Sequence, residues 1–225
     1  MHVFRLSLIF ICSLAFAQDQ SISFARMDKD RETAQRATEV LKAMSISPGD
    51  SVADIGAGNG YFSQRLAAAV GEQGKVYAED ISDEALNFLN RRVKQLELPN
   101  IEVVKGGVEN PKLPAGVLSS ILIVDSYHHF TAWQPMLEQI LHSLKPGGRL
   151  VILDYSLAEH RTQTRSEQLR LHEIGPAIVR KELGEAGFTV LSCEDPWVKR
   201  IPKSETSAGR ADSYLIVAMR PKAGE

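Results

Sequence analysis

Very little in this chain could staple or anchor it. Its 225 residues include two cysteines, Cys12 and Cys193, and only 7% aromatics. Lys+Arg 26 almost balance Asp+Glu 28, for a formal net charge of -2. Without a basic excess or a run of Lys and Arg there is no electrostatic case for a nucleic-acid partner. No apolar run approaches the roughly 20 residues that cross a bilayer. Internal repeats and low-complexity tracts are absent as well. What remains is ordinary globular composition, 44% hydrophobic and 24% charged, at a length that suits one domain with its own core.

The first residues read as a leader. Residues 1–5 end in the cation Arg5, residues 6–16 are mostly apolar, and Ala15-Phe16-Ala17 forms an A-x-A site. That order describes a secretory signal peptide cut after Ala17, with the mature protein periplasmic or secreted. A single domain with an N-terminal helical arm is expected over residues 18–225. Its one remaining cysteine, Cys193, excludes an internal disulfide, and stability must come from the core.

Past a polar arm, the spacing of Ala34, Ala37, Val40, Leu41 and Met44 predicts a helix over residues 30–44. Strands and helices then alternate. Strands are expected at 51–55, 74–78, 101–105, 121–124 and 150–154, and helices at 61–70, 83–96 and 132–144. Ser82 is the expected N-cap of the second of these helices. The alternation predicts a parallel sheet covered on both faces. A helical stretch over 166–186, broken at Gly175-Pro176, leads to strands at 188–193 and 214–219. Joined by the polar connection 199–213, these two form an antiparallel pair.

The most informative segment is Asp54-Ile55-Gly56-Ala57-Gly58-Asn59-Gly60-Tyr61, between the first strand and its helix. Glycines there permit positive φ and let backbone N–H groups approach a ligand. A dinucleotide fingerprint needs a small residue three positions after Gly58, where this chain has the bulky Tyr61. The pattern is instead D-x-G-x-G-x-G. Its strand-end acid suits a ligand with a free amine better than a pyrophosphate.

Residues 52–66 resemble the first motif of the class I S-adenosylmethionine-dependent methyltransferases, and the likeness runs from about residue 48 to 154. It implies a Rossmann-like, doubly wound, seven-stranded sheet, mostly parallel with an antiparallel last strand. It also implies S-adenosylmethionine held by Asp54, Gly56, Ala57, Gly58 and Gly60. In the family an acid about 20 residues onward holds the ribose; this is Asp80, with Glu79 as the competing acid, and Ile81 packs on adenine. The family's third acid is replaced by Gly106-Gly107-Val108-Glu109, leaving Gly107 and Val108 as backbone contacts and Glu109 as a substitute. Lys145-Pro146-Gly147-Gly148 matches the helix-to-strand turn.

Methyl transfer from a sulfonium mainly requires alignment and exclusion of water, with a base where the acceptor carries a proton. That directs attention to Tyr127, His128 and His129 after the fourth strand, with His129 foremost through its likeness to a recurrent family histidine. Adjacent histidines point in different directions, so one at most faces the acceptor. Asp125 is expected at the methionine part of the cofactor. His160, Arg161, Arg165, His172 and Arg180 fit either an anionic acceptor or a solvated helix face. The histidines form no metal-ligand spacing. The expected partner is a small-molecule methyl acceptor. The competing reading is a non-catalytic protein of the same fold that holds an adenosyl ligand, since the cofactor is made in the cytoplasm.

Overall fold

A computed structural model describes Asp28, residues 31–199 and residues 212–222. The leader over 1–17, the arm over 18–27 and most of the 199–213 connection lie outside these described residues. Seven strands form one sheet: β1 (Ser51–Ile55), β2 (Lys75–Asp80), β3 (Ile101–Lys105), β4 (Leu118–Val124), β5 (Leu144–Ser156), β6 (Thr189–Val198) and β7 (Asp212–Met219). Their spatial order is β3-β2-β1-β4-β5-β7-β6. The first five pair in parallel, and β7 lies antiparallel to both β5 and β6. The last strand is thus inserted beside β5, and β6 takes the edge.

Strand alternation divides the core in two. Ala53, Ile121, Ile123, Leu150 and Ile152 face one side, with Leu137, Ile140, Val179 and Leu183 packed on them. Val52, Leu122, Val124, Val151 and Leu153 face the other, against Val40, Phe62, Leu66 and Leu89. This period of two within an almost wholly apolar β4 is why that strand sits in the centre, buried on both faces. Each fully buried branched side chain there contributes about 1.5–3 kcal/mol.

The helices are α1 (Arg31–Gln35), α2 (Ala37–Met44), α3 (Tyr61–Val70), α4 (Asp83–Gln95), α5 (Trp133–Ser143), α6 (Arg165–Arg170) and α7 (Pro176–Glu185). Ser82 caps α4 by accepting the Ala85 N–H, and Pro176 opens α7, where the missing N–H costs no hydrogen bond.

Three expectations change in detail. The helix predicted over 30–44 breaks at Arg36, which takes a left-handed φ of 51°. The cause is tertiary: Trp197 Nε1–H donates to the Gln35 carbonyl at 2.9 Å, so Glu39 N–H turns to Arg36 instead. The Pro-Gly-Gly turn falls inside β5, where the register on β4 jumps between the Leu118–Leu144 and Ser120–Arg149 pairs. β6 runs on to Val198, whose N–H donates to Ser213 Oγ.

β1, β2 and β4 end at one level, since Ile55 pairs with both Glu79 and Ile123. The chain leaves β1 toward β2 on one side and later enters β4 on the other. The crevice at this switch point is where open α/β sheets bind ligands.

Candidate functional site

A cavity of about 1040 Å³ opens over these strand ends. One end is built largely from backbone. Gly56 holds a φ of +69°, and a Cβ there would come within 2.2 Å of Ser126 Oγ, so only glycine lets the loop lie against the end of β4. Gly58 N–H donates to Asp80 Oδ2 at 3.0 Å, and Ser82 N–H donates to Oδ1 at 2.8 Å. These two bonds aim the Asp80 carboxylate along the cavity wall. Ile81 and Val108 line the same end although they are 54% and 52% exposed. Two bare apolar side chains facing an acid make a slot for a planar base joined to a polyol. Gly56, Ala57, Gly58, Asp80, Ile81, Gly107, Val108 and Asp125 all stand on the wall.

Asp54 and Gly60, also assigned to the cofactor, do not line the cavity. Asp54 is 2% exposed and accepts the Ser63 hydroxyl at 2.6 Å, a bond that joins β1 to α3. Burial pushes its carboxyl up to about 6, against the pull of that bond. Gly60 is the left-handed N-cap of α3, and a Cβ on it would strike Leu89 at 2.5 Å. Glu109 is exposed and off the wall as well.

Glu79 lines the cavity in its own right. It is 2% exposed; its Oε2 accepts the Gly56 N–H at 3.3 Å, while Oε1 has no partner. Burial pushes its carboxyl up to about 8, with Asp80 and Asp54 adding to the rise against that bond. It is therefore mostly protonated at neutral pH.

The other end belongs to the segment after β4. Asp125 turns the chain with a φ of 50°, and Tyr127–His129 form one short 3-10 turn. That turn sends neighbouring rings in different directions. His129 is exposed and lines the cavity beside Phe130 and Met136. His128 points into the core, where its Nδ1 lies 2.8 Å from Asp154 Oδ1 and its N–H donates to Oδ2. Tyr127 is fully buried and donates to Glu182 Oε2 at 2.7 Å. The expectation of three candidate catalytic side chains is corrected to one on the wall, with the His128 ring packed on it and Tyr127 packed on Phe130 in the core.

Electrostatics follow this division. Burial lowers the His129 pKa below its ordinary value, and His128 and His172 push the same way. The His128 ring lies 4.1 Å from His129 between centroids, and His172 lies 5.7 Å away. Burial would also lower His128, but the Asp154 hydrogen bond and charge, with Asp125 and Glu173, outweigh it and raise the value. Three of the five side chains expected near an acceptor are engaged with carboxylates. Arg161 Nη1 donates to Asp195 at 2.7 Å, Arg165 pairs with Glu182 and donates to the Phe130 carbonyl, and His160 meets Glu173 at 3.0 Å. Among the described residues no group of three or more His, Cys, Asp and Glu is arranged to hold a metal. None of the described helices is long and apolar enough to cross a membrane.

Sequence reasoning did not single out α1. Arg31 stands on the cavity wall, and Gln35 Nε2 donates to Asp125 Oδ2 at 2.7 Å. Neither residue has a spacing that marks it, because Gln35 is tied to the distant Trp197 and Asp125, and Arg31 to Asn59 and Tyr61.

A glycine-cradled, acid-bordered cavity at the switch point of a sheet in this order defines a nucleoside-cofactor enzyme of the Rossmann-like class. Residues 46–196 match the family model described as a methyltransferase domain, and the chain belongs to that family. The family's cofactor is S-adenosylmethionine, whose adenosine the Ile81–Val108 slot and Asp80 fit. A demethylmenaquinone methyltransferase of a Geobacillus species is 29% identical over 135 residues, 60% of this chain and 55% of that protein. The match thus spans about half the length of such relatives. The crystal structure of an S-adenosylmethionine-dependent methyltransferase from Aquifex aeolicus superposes with a TM-score of 0.68 at 26% identity, covering 84% of this chain and 92% of that one. A geranyl diphosphate C-methyltransferase from Streptomyces coelicolor shares the fold, with a TM-score of 0.68 at 15% identity over 84% of this chain and 81% of its own.

Proposed function

We propose that this protein methylates a small, largely apolar acceptor that carries an ionisable hydroxyl, such as a phenol or quinol, with His129 as the base. The observation that carries this reading is the placement of His129 on a cavity wall that also includes Phe130 and Met136. When bound, the cofactor supplies an electrophilic methyl group on a sulfonium sulfur. A lowered pKa keeps His129 neutral at physiological pH, ready to take the hydroxyl proton as the acceptor's carbon or oxygen attacks that methyl. The imidazole would hold the proton released as the methyl group passes from sulfur to the acceptor. His128, fixed by Asp154, packs under His129 and orients it.

An uncharged acceptor is favoured because Arg161, Arg165 and His160 are bound to carboxylates, which leaves Arg31 as the one Arg or Lys among the described residues of the wall. The quinone relative at 29% identity points the same way. The test is formation of S-adenosylhomocysteine from short-chain naphthoquinols, with a phosphorylated alcohol as control. His129→Ala should lower kcat by about 10²–10⁴-fold with cofactor affinity near normal. Wild-type kcat should rise with pH through a value below 6.5 and then level off. Full activity in the variant, or preference for the phosphorylated acceptor, would overturn the reading.

Export is part of the same proposal, on the strength of the leader over residues 1–17. Intact mass of the protein recovered outside the cytoplasm should begin at Gln18. Recovery of the uncut chain in the cytoplasm alone would sink it.

A further inference from the structure

We propose that Glu182 and Arg165 clamp the turn that carries His129, which makes Arg165 a positioning residue for methyl transfer and not a ligand of the acceptor. The assignment rests on His129 as the group that acts in the cavity, and names what aims it.

The turn after β4 is a single 3-10 turn, closed by two backbone bonds. His129 N–H donates to the Ser126 carbonyl at 3.0 Å, and Phe130 N–H donates to the Tyr127 carbonyl at 2.9 Å. Hydrogen-bond geometry in such a turn is poorer than in an α-helix, so its own bonds hold a ring direction weakly. Anchors from outside supply the rest. Tyr127 donates its hydroxyl to Glu182 Oε2 at 2.7 Å, and His128 meets Asp154 through both its ring and its N–H. The Phe130 carbonyl accepts Arg165 Nη2 at 2.8 Å. Tyr127, His128 and Phe130 are thus tied to α7, β5 and α6, and the His129 ring, set among them, stands on the cavity wall.

Glu182 joins the two ends of the turn. It is only 3% exposed; one oxygen takes the Tyr127 hydroxyl and the other pairs with Arg165 Nε. The same guanidinium spends Nη2 on Phe130. One buried carboxylate therefore grips the start of the turn directly and its end through an arginine. Burial raises the Glu182 carboxyl, and the bonds from Tyr127 and Arg165 oppose that rise. A buried carboxylate is tolerated where it is paired and hydrogen-bonded, which Tyr127 and Arg165 together achieve.

Arginine suits this task. Its N–H groups point in fixed directions within one plane, whereas lysine offers a single flexible ammonium. Arg165 is absent from the cavity wall, and its guanidinium lies 6.0 Å from the Trp133 ring centroid. A cation that the sequence allowed for an anionic acceptor instead holds the main chain beside His129.

NMR titration of the His129 ring in the full chain tests the clamp, with the signal assigned by its loss in His129→Ala. Arg165→Met combined with Glu182→Gln removes the ion pair without stranding a buried charge, and glutamine can still accept the Tyr127 hydroxyl. Arg165→Lys keeps the charge and gives up the fork. With circular dichroism unchanged, the His129 pKa should rise toward 6.5 in both, as the ring leaves His128 and gains water. A titration that coincides with wild type overturns the clamp. On the naphthoquinol, both variants should lose about 10- to 100-fold in kcat with the acceptor KM within about twofold. A raised acceptor KM at unchanged kcat would make Arg165 an acceptor ligand and overturn the assignment as well. The titration needs no acceptor. A chain inert toward naphthoquinols therefore sinks the proposed reaction, while the His129 signal still decides the clamp.

Discussion

The two ends of the cavity are built by different means. At the adenosine end, neighbours in sequence do the work: Gly56 to Gly58 in one loop, Asp80 and Ile81 in another, joined by backbone N–H groups that donate to carboxylates. At the other end, the parts come from far apart. His129 rests on His128, which rests on Asp154 from β5; Arg31 and Gln35 arrive from α1, and α1 is pinned by Trp197 from β6. The first end is a shape that tolerates little change in the main chain. The second is a set of side-chain contacts that can be exchanged one at a time. A cofactor common to a family and an acceptor particular to one member suit such a division.

Breaking the adenosine end should have the largest effect. Gly56→Val places a branched Cβ at a φ of +69° and against Ser126 Oγ. It should weaken S-adenosylhomocysteine by about 3 kcal/mol or more, combining left-handed strain with a steric clash. Calorimetry on a sample with unchanged circular dichroism checks this. Near-normal affinity would show that the loop is more pliant than its packing implies.

The buried acid beneath that loop comes next. The folded-state value of Glu79, about 8, is raised above the ordinary 4.5. The sign follows: its stabilising contribution is complete below pH 4.5 and is lost as pH rises toward 8, because the folded state holds a proton that the unfolded state releases. Glu79→Gln removes that dependence. The variant should be more stable than wild type at pH 8 by roughly 1–3 kcal/mol, with the gap closing toward pH 5. Thermal melts across that range decide it, and parallel curves for the two proteins would refute a raised Glu79.

Trp197→Phe should have the smallest effect. It keeps most of the ring that packs on Arg36 and deletes only the N–H that holds the Gln35 carbonyl. A loss of about 1 kcal/mol in stability is expected. Greater proteolytic access at α1 should accompany it. An effect larger than that of Gly56→Val would reverse the contrast between the two ends.

What could be read before folding followed the same line. The alternation of strands and helices, the Ser82 cap and the glycine loop are local features, set by periodicity, capping chemistry and φ, and each appears where expected. Asp54 shows the limit of a local reading. Its place at the strand end was legible, but its side chain turns to Ser63 and the core, which strand direction and the packing of α3 decide. Of the adjacent His128 and His129, the sequence favoured His129 through family likeness alone. Only the short turn after β4 sends one ring to Asp154 and the other to the cavity.

The amino-acid sequence by itself determined the order of elements, the doubly wound sheet and the cofactor class, because those depend on spacing and on glycines that no other residue can replace. Tertiary structure alone decided which acids lose water, that His128 turns to Asp154 while His129 lines the cavity, and that Arg31 stands on the wall. Burial, charge pairing and long-range contact are properties of neighbours in space, and residues 31, 125 and 197 become neighbours only when the sheet closes over them.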